Sequence, residues 1–208
     1  MQLNNIRLPF DVDVQCRSGG CWLRGAMRGV SLRAGESVRV NAYRRFDLYT
    51  SSSSLITARD AIHFVGMPSK GTAGEEAADH PLRRWADDPA KPLTLKLARA
   101  VFGEPNAPWS RAHAAQMLNL SLRELSAWML REGAALTNLV CEQRLMRAFI
   151  EVSQGKGRQG RHGFVSRERR DTAFFDHFGI GVEQVAVIGR TGMVSWSGNP
   201  FDVGPWQG

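Results

Sequence analysis

The sequence predicts an α+β protein: a small N-terminal antiparallel β sandwich or barrel, followed by an all-helical C-terminal part built on a helix-turn-helix. Three observations predict it. The first 65 residues break into short segments separated by turn residues. From Leu93 the apolar period becomes helical. Between Ser110 and Arg131, two serine caps and a tight turn mark a pair of short helices.

In the β part, segments Gly20–Leu23, Gly29–Leu32, Ser37–Val40, Phe46–Tyr49 and Leu55–Thr57 read as strands. Val38 and Val40 alternate with Ser37 and Arg39, as in a half-buried strand, and Ala34-Gly35-Glu36 is a turn signal. Residues 66–92 are rich in Gly, Pro, Ala and charge and read as a linker, with a short helix starting over Leu82–Trp85. The helical part, 93–179, opens with a stripe of Leu93, Leu97, Ala100 and Val101, ended by Gly103 and Pro105. Ser110 then caps a helix carrying Ala114, Ala115 and Leu118. Asn119-Leu120-Ser121 turns the chain, and Ser121 with Glu124 has capping-box spacing. The helix it opens is expected to face Leu122, Leu125, Trp128 and Met129 inward. A long helix follows from Leu136 to Val152, with Leu139, Val140, Leu145, Ala148 and Phe149 as its apolar face. Residues 180–208 read as a Gly- and Trp-rich tail with no assigned task.

Composition narrows the function. Of 208 residues 43 % are hydrophobic, as in a globular protein, and the net charge of +7, carried mostly by arginine, favours polyanionic partners. No apolar run approaches the roughly 18–20 residues that span a bilayer, and the first residues lack the pattern of a signal peptide, so a cytoplasmic protein is expected. The three cysteines, Cys16, Cys21 and Cys141, are too few and too unpaired for a disulfide framework or a zinc site and read as free thiols. No phosphate-binding glycine loop or nucleophile elbow is present, and the β segment has only His63 where a metal-dependent β barrel would need several histidines. Neither an enzyme nor a cofactor is expected.

Two short helices joined by a tight turn, the second capped, form a helix-turn-helix, whose second helix can enter a major groove. An ordinary helical hairpin has the same pattern. The motif order is more specific. Ala115, Leu118, Ser121, Leu125, Gly133, Leu136, Leu139, Arg144, Leu145, Arg147 and Ala148 fall where AraC-type regulators carry an Ala–Leu helix, a Ser-capped recognition helix, a Gly and a linker helix with Arg-Leu-x-x-Ala. Gly163-Phe164-Val165-Ser166, Phe174 and Phe178-Gly179 then match that family's second unit. Over about 70 residues the chain thus resembles AraC-type helix-turn-helix transcription regulators, and the texture of Gly29, Leu32, Gly35, Glu36 and Val38 resembles a fragment of their cupin-like sensor domains. The segment from the first recognition helix to Gly133 is one residue shorter than usual, and the other departures lie in the second unit. The helix that should precede Gly163 is replaced by glycine-rich sequence, and Arg170 stands where the family has a buried aromatic. Three glycines disfavour a helix by about 1 kcal/mol each, so this unit reads as degenerate, resting on Phe164, Phe174 and Phe178 alone. Gly155–His162 is expected to be mobile or irregular without DNA.

The resemblance implies duplex DNA as the partner. On the first recognition helix it implies base contacts from Arg123, Ser126 and Ala127. Arg123 suits guanine O6 and N7, or is a solvated arginine beside Glu124. On the second helix it implies contacts from Arg167, Glu168, Arg169 and Thr172. Lys156, Arg158 and Arg161 form a basic loop suited to the DNA backbone. Arg144 and Arg147 serve phosphate contacts or pair with Glu142 and Glu151. Trp109 and Trp128 read as core. RNA polymerase, another regulator, and a second copy through the N-terminal β domain are further candidate partners. The competing function is a degenerate interaction module, a co-regulator or anti-activator working through a protein partner rather than through DNA.

Overall fold

The computed structural model describes residues 1–25, 28–50, 61–66 and 92–197. The expected strand at Leu55–Thr57, the interior of the 66–92 linker with its helix at Leu82–Trp85, and the chain beyond Ser197 lie outside the described residues.

The α+β expectation holds. Alternating residues build the strands: Val12, Val14 and Cys16 are buried along β2 (Val12–Ser18), and Val38 and Val40 along β5 (Ser37–Val40), with polar neighbours turned outward. The remaining strands are β1 (Gln2–Ile6), β3 (Gly20–Gly25), β4 (Gly29–Arg33), β6 (Phe46–Thr50), β7 (Ala61–Gly66) and β8 (Val194–Ser197). They make two four-stranded sheets, ordered β1-β6-β3-β4 and β5-β2-β7-β8. All pairs are antiparallel except β7 with β8, which is parallel. The Ala34-Gly35 turn closes as expected: Gly35 takes φ +86°, and the Glu36 amide donates to the Arg33 carbonyl at 3.0 Å. The Cys16 and Cys21 side chains are buried.

Among the described residues six helices follow: α1 (Pro92–Gly103), α2 (Arg111–Met117), α3 (Leu122–Arg131), α4 (Leu136–Ser153), α5 (Arg167–Phe178) and α6 (Val182–Arg190). No helix among the described residues is long and apolar enough to cross a membrane. The expected tail is corrected here. Residues 182–190 form a helix whose Val182, Val185, Ala186 and Ile188 are buried, and the chain then returns to the β part to pair Ile62 with Val194 and Phe64 with Trp196. Val182, Val185 and Ala186 have the i, i+3, i+4 spacing of one helical face, but a parallel pairing with a strand some 130 residues earlier has no local sequence signal.

Two apolar clusters organise the molecule. One joins both sheets to the second half of the helical part: Leu3, Val14, Leu48 and Phe64 share it with Phe149, Phe174, Phe178 and Val185. The other belongs to the first helical unit, with Leu97, Ala98, Val101, Ala114, Ala115, Leu125, Met129, Leu139 and Val140. Polar contacts reinforce the seam. Asn5 Nδ2 donates to the His177 carbonyl at 2.8 Å, and His177 Nε2 lies 3.0 Å from the Asn5 carbonyl. Gln143 Nε2 donates to the Arg7 carbonyl at 3.2 Å, and Arg7 Nη1 lies 3.3 Å from the Glu142 carboxylate.

Candidate nucleic-acid interface

The first helical pair is built by its caps. Ser110 Oγ accepts from the His113 amide at 3.1 Å and starts α2. Asn119 then takes a left-handed φ of +53°, which asparagine tolerates better than most residues. Ser121 Oγ accepts from the Glu124 amide at 3.2 Å while Glu124 Oε2 accepts from the Ser121 amide at 2.8 Å, completing the capping box. That backbone hydrogen bond holds the Glu124 carboxyl below its ordinary pKa. At the other end of α3, the Glu132 carboxylate accepts from the Leu93 and Thr94 amides at 3.3 and 2.9 Å, so α3 also caps α1.

Leu125 and Met129, one turn apart, bury one face of α3. Arg123 and Ala127 lie on the opposite face and are exposed; Ser126 is exposed on its flank, its hydroxyl donating to the Leu122 carbonyl at 2.8 Å. Glu124 is committed to the cap. Arg123 therefore has no carboxylate neighbour holding it, and it has no polar partner among the described residues. Two expectations fail on this helix. Leu122 is 55 % exposed and Trp128 44 %, with Arg131 lying 5.4 Å from the Trp128 ring centroid. With a helical period of 3.6, burial at 125 and 129 cannot also reach 122 and 128 unless another element covers those flanks. Trp109 is partly buried, its Nε1 donating to the Glu104 carbonyl at 2.8 Å.

The second unit departs from a helix-turn-helix as the sequence predicts, since residues 154–165 form turns and no helix. Its degeneracy is nevertheless compensated. Arg170, only 1 % exposed, extends from α5 into the loop. Its Nη1 donates to the Gly157 carbonyl at 3.2 Å and to the Gly160 carbonyl, its Nη2 to the Arg158 carbonyl at 3.0 Å, and its Nε to Asp171 at 2.7 Å. His162, also buried, places Nδ1 3.1 Å from the Gly160 carbonyl and Nε2 2.8 Å from Glu151 on α4. Hydrogen bonding from His162, with a further bond from Arg147, holds the Glu151 carboxyl down at about 2. Two of the glycines serve close approach. A Cβ at Gly157, whose φ is +66°, would meet the Glu151 side chain, and one at Gly163, with φ +79°, would meet the Pro105 carbonyl and Arg144. The loop is irregular but pinned, so α5 does not rest on Phe164, Phe174 and Phe178 alone.

The remaining site residues divide. Arg167, Glu168, Arg169 and Thr172 are exposed on α5, which Ser166 caps by accepting from the Arg169 amide at 3.2 Å. Glu168, Arg169 and Thr172 line an open groove of about 530 Å³ with Ser166, Ala173 and Asp176. Backbone hydrogen bonding at the helix start holds Glu168 below its ordinary pKa, so the groove carries negative as well as positive charge. Lys156, Arg158 and Arg161 are exposed; Arg158 pairs with Glu183, and Arg161 donates to the Val165 carbonyl at 3.3 Å. Arg144 is turned inward. Its Nε and Nη2 donate to the Pro105 and Ala107 carbonyls at 2.8 and 3.0 Å, and burial pushes its pKa down. That geometry ties the α1–α2 connection to α4 and replaces the expected pairing with Glu142, which faces Arg7. Arg147 does pair with Glu151, at 2.6 Å. No local sequence signal marks Glu132 as the cap of α1, or the pairing of His162 with Glu151, because these partners lie 38–39 and 11 residues apart.

Fold and site together define a class: a β sandwich sharing its core with a helical part whose first unit is a complete helix-turn-helix. Solved structures of ToxT from Vibrio cholerae have the same fold. ToxT from strain O395 aligns with a TM-score of 0.58 at 11 % identity, over 90 % of this chain and 93 % of that one. ToxT bound to (E)-4-(8-methylnaphthalen-1-yl)but-3-enoic acid gives 0.56 at 12 %, over 90 % and 95 %. Wild-type ToxT bound to an unsaturated fatty acid gives 0.55 at 12 %, over 89 % and 90 %. At such identity the likeness is one of fold. No protein-family model and no curated protein matches the chain.

Proposed function

We propose that this protein is an AraC-like transcription regulator that binds duplex DNA, with α3 as the principal reading helix and α5 with its loop as the second contact. The observation that carries this reading is the complete first unit: a reciprocal capping box sets α3 on its own core and leaves Arg123 and Ala127 outward, with Arg123 unpaired among the described residues. The fold shared with ToxT, an AraC-family regulator with an N-terminal cupin-like domain, supports the same reading. Contacts from Arg123, Ser126 and Ala127 to bases, and from Arg167, Arg169, Thr172, Lys156 and Arg161 to bases or phosphates, belong to this proposal. So do RNA polymerase as a partner and dimerisation through the sheets. A fluorescence titration of the full chain on promoter fragments across a salt series tests it. Tight binding that weakens linearly in log salt is expected, and folded protein that binds no duplex at low salt would overturn it.

One observation favours the second reading, an interaction module. The outward surfaces of the two units carry apolar as well as charged groups: Leu130 is 81 % exposed on α3, Phe175 57 % on α5 and Val165 88 % just before it. Isolation of a stable protein complex, together with absence of DNA binding, would establish that reading instead.

A further inference from the structure

Arg170 is the largest fully buried side chain among the described residues, and it is a cation on a helix whose other buried positions, Phe174 and Phe178, are aromatic. A buried guanidinium is costly unless its donors are satisfied. Here its fork reaches three carbonyls within four residues of one loop, Gly157, Arg158 and Gly160, and its own neighbour Asp171 supplies the countercharge, with Nη2 2.6 Å from Oδ1. A lysine ammonium offers its three N–H groups from a single point, whereas the planar guanidinium presents five in a fixed fork, which here reaches the Gly157 and Gly160 carbonyls from Nη1, the Arg158 carbonyl from Nη2 and Asp171 from Nε. The same loop is fastened from the other side by His162 to Glu151, which Arg147 also holds, and Arg147 Nη1 lies 3.4 Å from the Phe102 carbonyl of α1. A continuous polar chain thus runs from α1 through α4 and the loop to α5.

We propose that Arg170 is the positioning residue of the second unit: its buried guanidinium does the work of the absent first helix, fixing the 155–162 loop against α5 so that Lys156 and Arg161 form a preorganised cationic edge for phosphates, while Arg158 is paired with Glu183. The inference rests on the DNA-binding reading for the role of that edge, and on geometry alone for its order. A preorganised edge loses less conformational entropy on binding than a free glycine-rich loop, whose ordering costs on the order of 1–2 kcal/mol per residue.

The test uses the full chain with Arg170→Met, which keeps an elongated side chain but no donors, and Arg170→Lys, which keeps the charge without the fork. Amide hydrogen exchange is measured on the free proteins, and binding to a labelled mixed-sequence duplex across a salt series. In Arg170→Met, exchange over residues 155–162 is expected to rise by about tenfold or more while α3 and the first half of α4 keep their protection. The slope of log K against log salt is expected to fall by about two, at roughly 0.9 for each phosphate that the loop no longer neutralises. Arg170→Lys should recover part of both. Unchanged protection of the loop in Arg170→Met would overturn the inference. So would equal loss of protection throughout α4, α5 and α6 in both variants, which would mark a general packing role. If loop protection falls but the slope does not, the loop is not a phosphate edge and that part is overturned. If the wild type binds no duplex, the DNA-binding reading fails, and with it the phosphate role of the loop, whereas the exchange comparison still decides whether Arg170 positions it.

Discussion

Arg123 and Arg170 occupy helices with corresponding places in the two units, and their surroundings make them different tools. Arg123 stands outward on α3, and the adjacent Glu124 carboxylate is tied into the cap, so on the DNA-binding reading its fork is available to a base edge. Arg123→Ala is expected to weaken binding to a preferred site by about 1–3 kcal/mol while changing affinity for mixed-sequence DNA much less, because a bidentate guanine contact discriminates between sequences and a phosphate contact does not. Competition titrations with specific and mixed duplexes measure this; equal loss on both would make Arg123 a phosphate contact. Arg170, by contrast, is turned into the protein and holds backbone. From the sequence it reads as a mismatch at an aromatic position. Its compensating partners are main-chain carbonyls, and these leave no residue-type signature.

At the scale of the element, local chemistry determines α3. The capping box satisfies two backbone donors that would otherwise be orphaned at the helix start, and the unit has its own small core. Ser121→Ala is expected to destabilise it by about 1 kcal/mol, within the roughly 0.5–2 kcal/mol range of such caps. Amide exchange should show the loss concentrated in α2 and α3; uniform loss across the sheets would contradict the independence of the first core. Strand β8 is the opposite case. It is held by long-range contacts: Trp196 stacks on Phe64 with ring centroids 4.4 Å apart and donates from Nε1 to Ser153 Oγ at 2.8 Å. Trp196→Ala is expected to cost about 3 kcal/mol, at the lower end for removal of a packed aromatic, measured by urea unfolding. A loss below about 0.5 kcal/mol, the scale of an ordinary surface substitution, would mean that β8 is only loosely attached.

For the whole molecule, the shared core makes the β part and the second helical unit one body. The pH dependence of stability follows from groups that lie in it. Burial lowers the pKa of His177 below its ordinary 6.5, the backbone contact with Asn5 opposing that only in part. A lowered histidine pKa means the fold prefers the neutral ring. The associated stability is present above about pH 6.5 and lost as pH falls through the folded value. His63, seated between Ser195 and Ser197, shifts in the same direction through burial. Glu151 acts lower down: its carboxylate is favoured in the fold, so its contribution is complete above about pH 4.5 and disappears as pH falls towards 2. Thermal unfolding should therefore show a Tm that declines below about pH 6.5 and declines again below about 4.5. A Tm that rises between pH 6.5 and 5 would contradict the assignment of His177 and His63 as neutral in the fold.

Features that depend on near neighbours were readable from the order of residues. Period-two alternation at Val38 and Val40, the caps at Ser110 and Ser121, the glycine and proline stops after Val101, and the long apolar face of α4 are all decided within one or two turns of chain. The α+β class and the first helix-turn-helix were therefore legible, and with them the outward place of Arg123, Ala127, Arg169 and Thr172. Packing in three dimensions settled the rest. That Leu122 and Trp128 stay exposed depends on which elements cover α3, and that Arg144 faces inward depends on where the α1–α2 connection passes. The loop's glycines and Arg170 make sense only together, because a buried guanidinium and three carbonyls from a different segment satisfy each other. The last strand joins its sheet because Phe64, Ser153 and Trp196, far apart in the chain, meet in space, and no local propensity encodes that pairing.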